Sequence, residues 1–237
     1  MRAAMCARSQ GPSQTPTHRA PTVYTPRSFV EQDFPTLFDF MEAQPLAAVV
    51  TASASDGLVA THIPLVIDRA AGPMGTLNGH FARANSQWRS LADGPVAALI
   101  IFTGPNAYIS PEWYQTKADT GKDVPTWNYV AVHAYGMLRL HDDAQFLRDH
   151  LEKLTHQHES GRANPWRLSD APAGYIAEQM KAIVGVSLEI DRLEGKWKMS
   201  QNRSDVDISG VVRGLGTSTS PEDQSVAAIV SARRPKR

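Results

Sequence analysis

LNGHFARANSQW (77–88) divides into two halves, and the fold turns on that division. The preceding residues continue into MGTLNGHF (74–81), which has the composition and length of a strand. ARANSQWRSLA (82–92) then puts Trp88 and Leu91 at helical spacing, so a short helix is expected to follow. Between the two, His80, Arg83 and Asn85 place an imidazole, a guanidinium and an amide within six positions. A phosphate calls for charge-assisted donors and for the free N–H groups and positive dipole end of a helix's first turn, where this spacing puts Arg83. The residues alone admit a second reading, in which Arg83 is a surface arginine and His80 a satisfied strand residue.

The text on either side of this junction is mostly strand. LAAVVTAS (46–53), the turn signal SDG (55–57) and the β-branched LVATHIPLVID (58–68) read as a hairpin. VAALIIFTG (96–104) is a nearly continuous apolar run, expected as a central strand buried on both faces, and NAYIS begins another. TWNYVAVHAYGMLRL (126–140) and IVGVSLEIDRLEGKWKM (183–199) complete the strands. Between these two, Asp142 is expected to cap a helix carrying Ala144, Leu147, Leu151 and Leu154, and PAGYIAEQMKA suggests a second. Strands, a short helix, strands, two helices and a final strand do not make the alternation of a doubly wound nucleotide fold. A mainly β (α+β) antiparallel barrel with helices on its outside suits this order.

The bulk composition narrows the function. Twenty-four Lys and Arg balance 24 Asp and Glu over 237 residues, so no global field draws in nucleic acid or an anionic membrane. The only cysteine, Cys6, lies in a proline-punctuated stretch (1–22) expected to be a disordered tail, with a faint transit-peptide bias. A cytoplasmic setting and no disulfide follow. No apolar run is long enough to span a membrane. The Ser/Thr/Pro-rich 216–237, ending RRPKR, is read as a second loose tail, which leaves one domain over 23–215. Neither GxGxxG nor GxxxxGK[ST], GxSxG nor HExxH occurs. His156 and His158 sit two apart near a helix end and point away from each other, so a solvated helix end is expected there and no metal.

Three further clusters join the opening one. THIPLVID holds His62 and then Pro64, which lacks an N–H and suits a strand edge whose remaining backbone groups could meet the polar rim of a flat heterocycle. PTWNYVAVHAYG gathers Trp127, Asn128, Tyr129 and His133, a stacking surface beside a donor–acceptor amide. KWKMSQNRSD brings together Lys196, Lys198, Gln201, Asn202 and Arg203, which alone would pass for a solvated basic turn. No residue reads as a dedicated general acid or base, so the catalytic residues stay unassigned, although His62, His80 and His133 could serve if they line a pocket.

VYTPRSFVEQD, THIPLVID, LNGHFARANSQW, IFTGPNAYISPEWY, VPTWNYVAVHAYG and KMSQNRSDVDISGVVRGL resemble, in this order, the conserved blocks of the PaiB family. The resemblance covers roughly Tyr24 to Leu215. Members of that family are described as FMN-binding negative transcriptional regulators with an FMN-binding split-barrel fold, usually homodimeric with a flavin at each end of the subunit interface. The resemblance implies FMN as cofactor, with Thr61, His62, Ile63 and Pro64 along the isoalloxazine and His80, Arg83 and Asn85 at the phosphate. It also implies that Trp127, Asn128, Lys198, Gln201 and Arg203 approach the flavin from the partner subunit. DNA enters as a partner only through the family description, because no helix-turn-helix and no basic recognition helix is legible. An FMN-dependent oxidoreductase is the alternative. A haem-binding split barrel with a histidine ligand is a third reading.

Overall fold

In the computed structural model, which describes residues 23–53 and 57–235, the chain enters through a 3-10 turn at Arg27–Phe29 and a short strand β1 (Val30–Glu31). The Asp33 carboxylate accepts from the Thr36 N–H at 3.0 Å and caps α1 (Phe34–Ala43), whose Leu37 and Met41 turn into the core. β2 (Leu46–Ser53) and β3 (Gly57–Pro64) pair antiparallel from Leu46 opposite Pro64 to Ser53 opposite Gly57. Residues 55 and 56 of the expected turn lie outside the described residues. The expected single strand over 58–68 is two. β3 stops at Pro64, and after Leu65 the short β4 (Val66–Asp68) pairs instead with β5 (Thr76–Ala82).

The remaining elements are β6 (Val96–Ile109), α2 (Gln115–Thr120), β7 (Thr126–His141), α3 (Ala144–Glu159), α4 (Ala173–Lys181), β8 (Ile183–Lys198), α5 (Asp205–Gly216) and α6 (Pro221–Ala232). β6 merges two expected strands through a register shift between Thr103 and Asn106. Asp143 rather than Asp142 caps α3, accepting from the N–H groups of Gln145 and Phe146.

The sheet runs β3-β2-β6-β7-β8-β5-β4, with β1 on β8, and every pairing is antiparallel. Its two ends meet without a ladder. A Cβ placed on Gly79 of β5 would lie 2.7 Å from Leu65 Cδ2 and 3.0 Å from Ile63 Cδ1, so the glycine lets the end of β3 close directly against β5. The result is a split barrel with helices outside. Val49, Leu77, Phe81, Ile100, Phe102, Val132 and Leu188 fill its interior. Each buried side chain of this size contributes roughly 1.5–3 kcal/mol of transfer free energy.

Two expectations change here. The segment read as a loose tail from Gly216 contains α6, capped by Ser220 with Pro221 in the first turn and Glu222 and Asp223 behind it. Its Val226, Ala227 and Val230 join the main core alongside Ile208, Val211 and Leu215 of α5. Residues 236–237, like 1–22, lie outside the described residues. β6 is not buried on both faces either: Ala98, Ile100 and Phe102 point inward, while Leu99 and Ile101 are only half-buried on the outside. Among the described residues no helix is long and apolar enough to cross a membrane.

Candidate functional site

β5 leaves the sheet at Ala82, and the Asn85 N–H returns to the Ala82 carbonyl at 2.9 Å to make a tight turn. Asn85 Oδ1 then accepts from the Gln87 N–H at 2.9 Å, capping a 3-10 helix over Ser86–Leu91. The expected helix therefore starts four residues late, and Arg83 precedes it instead of standing in its first turn. Asn85 Nδ2 donates to Thr61 Oγ1 at 2.9 Å, tying the turn to β3, which is the terminal strand of the sheet and leaves one edge of its backbone without a ladder. Along β3, His62 is exposed, Thr61 and Pro64 are half-buried, and Ile63 turns into the core.

Gln87 does work here that the sequence did not advertise. Buried below the turn, its Nε2 donates to Val49 O at 3.0 Å, Thr51 Oγ1 at 3.1 Å and Val59 O at 3.3 Å, holding β2 and β3 to the turn. Its Oε1 is buried without a partner among the described residues. A glutamine in a short polar helix reads as solvent-facing, so no local signal marked it.

The three residues of the opening cluster are divided. Arg83 donates from Nε to Lys181 O (3.0 Å) and from Nη2 to Asp142 Oδ1 (2.6 Å) and Ile183 O (3.2 Å). Its Nη1 makes no hydrogen bond among the described residues, and the pair with Asp142 is well exposed on both sides. His80 is engaged by α3: its Nδ1 lies 3.0 Å from His150 Nε2, with the rings edge to face. Burial pushes both imidazoles below the ordinary histidine range, His150 to about 4, so the pair is uncharged at neutral pH. Arg83 and Asn85 thus stand on the turn as cation and cap, whereas His80 has no charge to offer an anion.

The later clusters sit at the other end of β8. Asn128 is fully buried and donates from Nδ2 to Ser200 Oγ at 3.0 Å, fixing Ser200 in a left-handed conformation at φ 63°. Gln201 accepts from the Met199 N–H at 2.7 Å and donates to Trp197 O at 2.6 Å. Arg203 makes a bidentate pair with Asp123 at 2.7 and 2.8 Å and lies over the Tyr114 ring. Lys198 donates to Thr126 Oγ1 at 2.7 Å and to the Trp127 carbonyl, while the Trp127 ring, 53% exposed, stands edge to face with Tyr108. Arg83 contacts β8 at Ile183 and Lys198 ends it, and a strand of 16 residues is about 50 Å long at ~3.3 Å per residue.

Residues 23–192 match the family described as "Putative FMN-binding domain". The chain belongs to this FMN-binding family. It is 34% identical over 236 residues to an uncharacterized protein of Emericella nidulans, covering 86% of this chain and 94% of that one. With the Bacillus subtilis "Protease synthase and sporulation protein PAI 2" it shares 29% identity over 208 residues, 88% of this chain and 96% of that protein, and the PaiB resemblance stands. Among solved structures, the FAD and heme binding protein from Mycobacterium smegmatis superposes with a TM-score of 0.54 at 18% identity, over 76% of this chain and 78% of that one. A conserved hypothetical protein from Mycobacterium tuberculosis gives 0.54 at 9% identity, over 77% and 94%. At these identities the likeness shows the fold, a split barrel.

FMN is the cofactor of this family member. The residues of the site fit it unevenly. The edge of β3 and the Nη1 of Arg83, both without a partner among the described residues, and the Thr61–Asn85 pair are donors of the right kind for a flat heterocycle with an anionic tail. His80, neutral and engaged through Nδ1 by His150, brings no charge to it.

Proposed function

We propose that this protein is a homodimeric FMN-binding oxidoreductase, with each flavin held between the β3–Asn85 turn of one copy and the β7–β8 end of its partner. One observation carries the reading: the two recognition clusters lie at opposite ends of β8, so a single copy has no way of bringing them together. An antiparallel second copy does. The half-exposed apolar residues Val50, Leu99, Ile101 and Ala131 on the outer face of β2, β6 and β7 supply a surface for it.

In this arrangement Arg83 gives the phosphate a charge-assisted donor and Asn85 holds the turn that presents it. Thr61 and the backbone edge of β3 orient the ring, with His62 and Pro64 beside it, while Ile63 anchors the strand from inside. Trp127 supplies a stacking surface from the partner, backed by Lys198, and Asn128, Gln201 and Arg203 hold the turn that carries them. FMN itself would supply the electron transfer, and the protein its position and surroundings.

The regulator reading rests on the family description alone. α3, the longest helix, presents Arg148, Asp149, Glu152 and Lys153 outward, a mixture of signs rather than a basic stripe, and the chain has no net charge. Titration with FMN, with mass measured by light scattering, tests the proposal. We expect one flavin per chain, a dimer, and bleaching of the bound flavin by reduced nicotinamide or dithionite. A monomer that binds FMN as tightly as the dimer would overturn the shared site. Specific DNA retention at stated salt by a protein inert to reductants would favour the regulator.

A further inference from the structure

β8 ends in two lysines that differ from the arginines nearby in having, among the described residues, no acid to answer them. Lys196 and Lys198 are two residues apart on one strand and share its outer face. Lys196 is only 9% exposed, and its Nζ donates to the Tyr24 carbonyl at 2.8 Å. Lys198 reaches Thr126 Oγ1 and the Trp127 carbonyl. All three acceptors are uncharged, and among the described residues neither lysine forms an ion pair. Arg192, Arg203 and Arg233 each have a carboxylate.

An ammonium has three N–H groups, so these bonds leave donors over on both lysines. Between the two stands Tyr129, directly opposite Lys198 in the ladder, with its ring centre 5.1 Å from Lys196 Nζ. Its hydroxyl makes no hydrogen bond among the described residues. Burial first, and then the neighbouring charges of Lys196 and Arg203, push the Lys198 ammonium below the usual lysine range. Beside it the Trp127 and Tyr108 rings lie about half exposed, at 53% and 48%.

We infer that Lys196, Lys198 and the Tyr129 hydroxyl form a subsite for a small aromatic anion, a carboxylate or phosphate, beside the Trp127 indole on which the flavin stacks. An anion there would answer both ammonium groups at once, and its ring would lie within reach of a flavin stacked on Trp127. The inference rests on the flavin reading above only for the identity of this anion, which it makes the substrate of the flavin. Should the lysines do no more than staple Tyr24 and the start of β7 to β8, the bonds they already make would suffice and no anion would be selected.

The test uses the full-length protein loaded with FMN, titrated by calorimetry with phenyl phosphate and, as the neutral control, benzyl alcohol. Phenyl phosphate should bind saturably and benzyl alcohol should not. Lys196→Gln should weaken phenyl phosphate by about tenfold or more, as expected for a lost charge-assisted bond, while Lys196→Arg retains most of the affinity. FMN affinity, read separately by flavin fluorescence, should stay within about twofold in both, because no contact to FMN is removed. If Lys196→Gln does not fold, Tyr129→Phe carries the test, with an expected loss of a few-fold. Equal affinity for the two probes, unchanged binding in Lys196→Gln or Tyr129→Phe, or a loss of FMN affinity parallel to that of phenyl phosphate would each overturn the subsite. A chain that takes up no FMN would sink the flavin reading instead, and the phenyl phosphate titration of that protein would still decide the subsite.

Discussion

The Arg83–Asn85 turn and the Asn128–Arg203 end are both rich in polar side chains, yet they use them in opposite ways. At the turn, Arg83 holds an exposed partner, Asp142, and among the described residues keeps its Nη1 unengaged. At the far end, Asn128, Gln201 and Arg203 spend their hydrogen bonds on Ser200, Met199, Trp197 and Asp123. Exposed ion pairs are worth about 0–1 kcal/mol, so the first arrangement yields readily to a stronger anion. Buried, mutually satisfied networks do not yield without loss of structure. The same residue types thus stand only partly committed in one place and form a scaffold in the other.

Substitutions separate the two uses. Asn128→Leu should cost about 2–4 kcal/mol of stability in denaturant unfolding, since it strips Ser200 of its partner in a strained, buried turn. A stability within error of the parent would mean that the far end is not a scaffold. Arg83→Ala should leave folding nearly intact and weaken FMN by about 1.5–3 kcal/mol, read by fluorescence titration; unchanged affinity clears Arg83 of the phosphate role.

His80 and His150 give a smaller effect with a definite sign. Their folded-state values are depressed, His150 to about 4, so the unfolded chain binds more protons between that value and the ordinary 6.5. Their contribution is fully present above pH 6.5 and is lost as pH falls toward 4. The melting temperature should drop across that window, and less so in His150→Phe. Equal slopes for the two proteins would remove the pair from the account. Smallest of all, Asp142→Asn should tighten FMN by no more than about 1 kcal/mol by releasing the Arg83 guanidinium. Weaker binding would show that Asp142 positions Arg83 instead of competing with the phosphate.

Much of the barrel was legible because alternation and β-branched runs are local signals: β2, β5, β7 and β8 lie where the pattern puts them. The Arg83–Asn85 turn was legible too, as a strand giving way to polar residues, although its helix is shorter and tighter than the spacing of Trp88 and Leu91 suggested. α6 was missed because Ser, Thr and Pro around it read as tail, whereas Ser220 and Pro221 are its start signals and its apolar face acquires meaning only against the core. The same holds for the half-exposed outer face of β6, which an apolar run cannot distinguish from a strand covered on both sides.

What the chain's own order determined was most of the strands and the place where β5 gives way to a polar turn, since each depends on residues within a turn or two of one another. Partners across the fold were decided only by tertiary structure. Asn85 meets Thr61 from 24 positions away, His80 meets His150 from 70, Asn128 meets Ser200 from 72 and Arg203 meets Asp123 from 80. Periodicity carries no record of such separations. Sheet order and the closure at Gly79 bring these groups together, and they send His80, a neighbour of Arg83 in sequence, to a different partner.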